Sequence, residues 1–470
     1  MTNLSDLIPA GGGQNNTDFV ADGTIVSGKP VILTSAGKAA PIAVSAADPV
    51  GVGTAVAFDT SASTVWPQAT FDSTNNKIVI GYNISGTGAY AIVGTVSGTS
   101  ISFGTAVAIS GEGLSYGSIT YDSDANRVVL SYRDYNNSDY GTSVVGTVSG
   151  TSISFGTPVV FASANVPGTA STFDSSNNKV VIAYRDYDNS YHGTAIVGTV
   201  SGTSISFGTA VVFEAANTNL ISATFDSSNN KVVISYQDIG NSYSGTSIVG
   251  TVSGTSISFG SAATFNGQSS MISSSFDTTA NKVVVAYQDG MNSDYGTSNV
   301  GTVSGTSISF GADGIFESAA TANTFCAYDA SVDRTTIVYQ DTDNSSVGTV
   351  VNGAVSGTSI SFTTPVTFTS GTTTYISCAY DSNAAKVVGA CFDATNGKAV
   401  VFSGGSSNLT STNLLGIAAG AISDTATGTI NTWGSRNEVQ TSLTIGSDYY
   451  VQEDGTITTT STSPAQLIGK

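Results

Sequence analysis

The 470-residue chain carries 33 acidic against 14 basic residues, a net charge of −19, and only 10% of its positions are charged while 40% are hydrophobic. The acidic balance excludes the basic footprint of a nucleic-acid binder and disfavours anionic membrane surfaces, and no apolar run reaches the roughly 18 residues of a membrane-spanning helix. Gly, Ser, Thr and Asn take the place of the missing charges, which suits short strands and tight turns rather than long helices.

In chain order, residues 1–17 read as an N-terminal arm. "MTNLSDLIPAGGGQNN" lacks the basic region and apolar stretch of a secretory signal peptide, so synthesis and folding in a cytoplasm are expected. Residues 18–51 contain "DGTIVSGKPVILTSAGKAAPI", short apolar runs punctuated by Gly, and are expected to be β-rich. From residue 52 a repeat takes over. The phrase "VSGTSISF" starts at Val96, Val148, Val200, Val252, Val303 and Val355, at intervals of 52, 52, 52, 51 and 52 residues. A second phrase precedes each copy, as "FDSTNNKIVIGY" from Phe71 or "FDSSNNKVVISY" from Phe225, and a seventh, "YDSNAAKVVGAC", starts at Tyr380. A length of 470 residues alone suggests about three domains, but regular repetition points to one large array.

The fourth repeat displays the local pattern. "LISATF" reads as a first strand and "KVVISYQD", β-branched and aromatic, as a second. "DSSNN" between them is a polar turn in which Asn tolerates positive φ and Asp bonds the turn backbone. "TSIVGTV" is a third strand and "SISFGSAATF" a fourth, joined by "SGTS", whose Gly supplies the conformation of a tight hairpin. Four antiparallel strands at this period make a β-propeller blade. The segment "VGTAVAF" from Val52 matches a fourth-strand tail, and the seventh repeat ends after "GKAVVFSGG" with no fourth strand of its own. The sequence therefore predicts an all-β chain: a seven-bladed β-propeller over 52–405, its ring closed by an N-terminal strand so that no sheet edge is left bare, with small β segments at 18–51 and 406–470.

In such a ring the "SGTS" and "SSNN" turns share one face, while the second-to-third loops and the inter-blade connections share the other. The first face is nearly constant. The second drifts, as in "RDYNNSDY" from Arg133, "RDYDNSYH" from Arg185, "QDIGNSYS" from Gln237 and "QDGMNSDY" from Gln288, and more so in "ASANVPGTA", "EAANTNLIS" and "NGQSSMISS". Duplication with free loop drift explains this; so does a divergent binding face on a constant scaffold. Tyr offers a flat apolar face with a polar tip, so the binding candidates are Arg133, Tyr135, Tyr140, Arg185, Tyr187, Tyr191, Tyr243 and Tyr295.

No catalytic set is legible. Propeller sialidases need an arginine cluster, and only five arginines exist: Arg127, Arg133, Arg185, Arg334 and Arg436. The lone His192 has no defined nucleophile beside it and reads as a loop residue. "DYDNS" from Asp186 and "DTDNS" from Asp341 resemble the start of a calcium loop but lack its central Gly and downstream Glu; turn chemistry explains them as well. Cys326, Cys378 and Cys391 match neither a disulfide framework nor zinc spacing and read as small buried residues. Neither a metal nor a cofactor is expected.

The C-terminal segment contains "LLGIAAGAISDTATGTINTWG", then "LTIGSDYYVQEDGTITTT", then "LIGK". It resembles a small β module of tailed-phage virion proteins, especially tail fibres and capsid-surface proteins of marine phages, and "DGTIVSGKPVILTSAGKAAPI" resembles the opening of the same module. In that family the module runs on past "GK", where this chain stops. The resemblance implies that 18–51 and 406–470 form one anchor domain with the propeller inserted. It also implies a non-enzymatic virion protein, made in the host cytoplasm and a homo-oligomer, although no coiled-coil heptad is present. Its partners would be other virion proteins through the anchor and a host-surface glycan or protein, with no nucleic acid and no membrane insertion. A purely structural capsid or tail decoration protein is the alternative, and a glycan-processing enzyme is disfavoured.

Overall fold

The computed structural model describes residues 16–42, 50–61, 63–109, 117–404, 414–432, 449–451, 457–458 and 466–469. Most of the N-terminal arm, Arg436 and much of the phage-like C-terminal segment, including "LTIGSD", lie outside the described residues. The chain divides into two compact units: residues 49–404, and residues 1–48 together with 405–470.

The larger unit is all-β and propeller-like, a succession of antiparallel meanders. In the third repeat, Thr169–Asp174 pairs with Lys179–Asp186, which pairs with His192–Ser201, which pairs with Ser204–Phe207. Burial is continuous along the inner strands, packed on both faces, and alternates along the outer ones. The middle strands are almost wholly buried, and the short "SISF" strand shows only its Ile buried. The same order recurs from Thr64–Asp72 through to Gly397–Ser403.

Each Asp turn is held by its own carboxylate. Oδ1 of Asp174 accepts from the amides of Ser176 and Asn177 at 2.9 and 3.1 Å, and Asn178 sits at φ 54°. Asp72, Asp122, Asp226, Asp277, Asp329 and Asp381 do the same in their repeats. All seven are buried. Burial raises the carboxyl pKa of Asp122, Asp277, Asp329 and Asp381.

Two contacts recur where neighbouring sheets meet. The first is aromatic. Phe161, on the fourth strand of one repeat, lies 5.3 Å from Tyr184 and 5.8 Å from Phe207 of the next. Phe213, Phe265 and Phe316 repeat this triad with Tyr236 and Phe259, Tyr287 and Phe310, and Tyr339 and Phe362. Each such ring pair contributes about 0.5–1.5 kcal/mol beyond its buried area. The second contact is bare backbone. A Cβ on Gly156 would lie 1.9 Å from the carbonyl oxygen of Thr203, in the "SGTS" turn of the following repeat. The same 1.9 Å separates Gly104 from Thr151, Gly208 from Thr255, Gly260 from Thr306 and Gly311 from Thr358.

The N-terminal segment takes part in the same joint. Gly51–Val52 and Val56–Asp59 pair with Gly397–Ser403, the third strand of the seventh repeat. The amide of Gly53 donates to Val401 at 2.9 Å, as Gly104 donates to Val93 at 3.0 Å, and a Cβ on Gly53 would lie 2.0 Å from the Thr99 oxygen. Thr64–Asp72 packs against Thr374–Asp381, so the first repeat meets the seventh.

Three expectations need correction. The fourth strand is not continuous: in the fourth repeat it breaks between Ser256–Phe259 and Ala263–Asn266, because Gly260 must pass under Thr306. The inter-blade segment "EAANTNLIS" is not a loop but part of the 16-residue strand Val211–Asp226, since Thr218 and Asn219 pair with Asp238 and Gln237. His192 opens a strand, paired with Asp186, rather than lying in the loop.

The smaller unit contains a five-stranded antiparallel sheet built from both chain ends. Its order is Asn16–Val20, Thr427–Asn431, Leu414–Ala418, Pro30–Leu33, Ala39–Pro41. Ala21, Ile25, Val31 and Ala39 bury against Ala418, Ile422 and Ile430. The amide of Gly23 donates to Asp424 at 2.8 Å.

Gly208→Ala is expected to destabilise the larger unit by about 1–3 kcal/mol through overpacking, read as a lower urea midpoint. Gly202→Ala, at φ 62° with open space around the added methyl, is expected to cost only about 1 kcal/mol. Equal effects would refute the close joint.

The four raised Asp pKa values set a pH trend. The folded state holds these protons more tightly than the unfolded state, so their contribution is greatest below the ordinary carboxylate range of about 4 and declines as pH rises through the raised values. Tm measured by calorimetry is expected to gain from these groups as pH falls from neutrality toward the ordinary carboxylate range of about 4. Asp329→Asn should reduce that gain more than Asp188→Asn, which removes the same charge from an exposed position.

Candidate functional site

The drifting second-to-third loops share one construction. The last Asp of the second strand caps the loop: Asp134 accepts from the Asn136 amide at 3.1 Å, Asp186 from Asn189 at 3.2 Å, Asp238 from Asn241 at 3.0 Å, Asp289 from Met291 at 3.0 Å and Asp341 from Asn344 at 3.1 Å. Two consecutive left-handed residues then turn the chain, for example Ser190 and Tyr191 at φ 56° and 63°. The calcium-like stretches "DYDNS" and "DTDNS" thus have their first carboxylate engaged in capping. Among the described residues no three His, Cys, Asp or Glu side chains converge.

The predicted residues fall into separate loops. Arg133 pairs with Asp139 at 2.8 Å and lies 4.9 Å over the ring of Tyr135. Arg185 lies 4.1 Å over Tyr191, donates to Asn217 at 2.9 Å, and Tyr191 meets Tyr187 edge to face at 4.6 Å. Arg133 is thereby clamped within its own loop and Arg185 between its loop and the strand Val211–Asp226, and the two are held by separate partners. Burial lowers the Arg185 pKa, although a guanidinium stays charged at neutral pH. Tyr135, Tyr187 and Tyr243 are 44%, 47% and 48% exposed. Tyr140 and Tyr295 open third strands and are half-buried. These three are the most exposed of the predicted rings, although the Arg133 guanidinium covers one face of Tyr135.

The long side chain at the Arg133 and Arg185 position has a structural task in later repeats. Gln237 donates to the Ser269 carbonyl at 2.7 Å and Gln288 to that of Thr321 at 2.5 Å, both on the following first strand. In the first repeat this position is Asn83, one methylene shorter than Gln. Its Oδ1 is buried and has no hydrogen-bond donor among the described residues, and a buried acceptor is costly to leave unpaired. The adjoining loop, residues 84–87, is also two residues shorter than residues 134–139 of the second repeat.

A cavity of about 390 Å³ opens there, lined by Asn83, Ile84, Trp66, Tyr135 and Tyr375 with the short loop as one wall. Trp66 meets Tyr375 edge to face at 5.2 Å. Both occupy a β-bulge on their first strand and are held at φ 49° and 52°. Leu220, Met271 and Asn323 stand at the same bulge in other repeats at φ 48–49°. A bulky residue in this region costs about 1–3 kcal/mol and tends to mark functional sites. Sequence reasoning missed Trp66, Asn83 and Tyr375. The signal was present in the shortened loop and in Asn where the second to sixth repeats carry Arg or Gln.

No protein-family model matches the chain, and no curated protein does. Solved structures with similar backbones include the SapL1 lectin in complex with α-methyl fucoside, at 13% identity and TM-score 0.40, covering 68% of this chain and 96% of that one. The six-bladed Aleuria aurantia lectin shares 12% identity at TM-score 0.40, covering 64% of this chain and 94% of that one. A Bacteroides uniformis protein provisionally described as a 6-phosphogluconolactonase shares 10% identity at TM-score 0.47, covering 64% and 84%. All three TM-scores lie below 0.5, and no ligand, activity or blade number is transferred from them.

Removing a cap should loosen one loop without unfolding its sheet. Asp186→Ala is expected to cost about 1–2 kcal/mol, by analogy with side-chain caps elsewhere, and to make residues 187–191 the first site of limited proteolysis. Cleavage elsewhere at an unchanged rate would show that the carboxylate does not hold the loop.

Proposed function

We propose that this chain is a non-enzymatic virion surface protein of a tailed phage, a tail-fibre or capsid-surface protein whose propeller presents its loop face to the host surface. The observation that carries this reading is the sheet shared by the chain ends. Asn16–Val20 pairs with Thr427–Asn431, and Leu414–Ala418 with Pro30–Leu33. Both ends thus build one small domain in which the repeat array is inserted, the organisation implied by the resemblance of these segments to the phage module. The small domain is the anchor, its partners other virion proteins, and the assembly a homo-oligomer. Seven blades are inferred from seven capped Asp turns and from the N-terminal strands that complete the last sheet.

The division of labour between the faces supports attachment. The hairpin face repeats Asx turns and glycine joints. The loop face carries Tyr135, Tyr187 and Tyr243, exposed and each in a loop of different sequence. Exposed tyrosines beside clamped arginines are suited to sugar rings and protein surfaces alike.

Electron cryomicroscopy of the intact particle tests the reading. Discs at the distal tips of fibres are expected, and the purified chain should bind host cells without consuming surface glycan. A combined Tyr135→Ala, Tyr187→Ala and Tyr243→Ala variant should lose at least tenfold in cell binding at unchanged Tm. Discs spread over the capsid with the loop face against neighbours would overturn attachment and leave a decoration protein. Glycan turnover would overturn the non-enzymatic assignment.

A further inference from the structure

The cavity of the first repeat departs from the second to sixth repeats in two independent ways, a loop two residues shorter and an Asn in place of Arg or Gln. Both changes remove material from the same spot. In the fourth and fifth repeats the equivalent glutamine spans to the next first strand and satisfies its polar end there. In the first repeat the shorter amide stops short, and its buried acceptor has no donor among the described residues.

We infer that this cavity is a binding site for a neutral saccharide ring. The inference rests on reading the loop face as an attachment surface, and it names the ligand and the place. Among the described residues three aromatic side chains line the cavity. Trp66 and Tyr375 are half-buried and set edge to face, and Tyr135 is more exposed. Aromatic faces stack on the apolar C–H face of a pyranose. The unpaired Asn83 Oδ1 accepts a hydrogen bond from a ring hydroxyl, and Ser85 and Thr87 on the short loop add hydroxyls at the rim. Among the described residues no charged side chain lines the cavity, which favours a neutral ring over a charged one. A volume of about 390 Å³ lies within the usual range of small-ligand pockets, roughly 300–1,000 Å³. The left-handed bulges of Trp66 and Tyr375 supply preorganisation: the rings are aimed by backbone that is already fixed.

The chain's two tryptophans are Trp66 and Trp433, so Trp433→Phe leaves Trp66 as the sole indole. The full-length Trp433→Phe protein would be titrated with the methyl glycosides of glucose, galactose, mannose, fucose and N-acetylglucosamine and with their β-linked disaccharides. At least one is expected to give a saturable shift of Trp66 emission. Asn83→Arg, in the same background, installs the residue that the second and third repeats carry there. It should fold with unchanged circular dichroism and weaken binding at least tenfold. If that variant misfolds, Trp66→Ala in the otherwise natural sequence, read by calorimetry, should show the same loss. An emission that stays constant across the whole panel, or full binding by a folded Asn83→Arg, would overturn the inference. Host-cell binding measured in parallel separates the two readings. Cells bound without any saccharide response would leave attachment standing and the cavity refuted. Saccharide bound without cell adhesion would do the reverse.

Discussion

The larger unit depends on how closely one sheet may approach the next. At Gly156 the distance is set by a carbonyl oxygen, that of Thr203, resting where any side chain would begin. The phrase "VSGTSISFG" contains both halves of this joint: the Thr of one copy lies over the terminal Gly of the copy before. A mutation in either half is felt by a neighbour whose own phrase is unchanged. That reciprocal constraint accounts for a segment kept almost letter for letter across six copies while residues between the copies vary.

The aromatic triads add a second, softer condition. A Phe on one fourth strand sits between a Tyr and a Phe of the next sheet, and Gly141, Gly193 and Gly245 give that ring room on its own sheet. Glycine is needed at those places because an added methyl would enter the ring, with 2.3–2.5 Å available. The joint fixes the scaffold at the hairpin end, while the triad packs against glycines that directly follow the second-to-third loops. The loop tips between those glycines and the second strands lie outside both contacts. Constancy of the hairpin phrase thus follows from the joint, and the glycines at the loop bases from the triad.

Much of the scaffold was legible because its chemistry is local. Asp followed by Ser and Asn announces its own turn, and "KVVISYQD" is strand-forming wherever it stands. The breaks were not legible. The fourth strand stops at Gly260 because of Thr306 in another repeat, and the bulges at Trp66 and Tyr375 come from the register against the second strand. Arg133 and Arg185 were singled out correctly as equivalent positions, but their partners, Asp139 and Asn217, could not be named before loop and sheet geometry were known. Asn83 was overlooked for a simpler reason. A missing methylene is visible in an alignment, but its consequence depends on the span it fails to cross.

The seam at Gly397–Ser403 has a mechanical consequence. Val52 lies opposite Phe402 and Gly51 opposite Ser403, so the chain enters and leaves the larger unit at the same end of one antiparallel strand pair. A load applied through residues 50 and 404 together pulls both strands the same way. Their mutual hydrogen bonds then bear little shear, and the tension passes into two adjacent sheets rather than peeling one strand from the other. Only forces that spread the two tethers apart would unzip the seam. A unit whose chain enters and leaves at one strand pair resists a pull on both tethers together better than a pull on one alone.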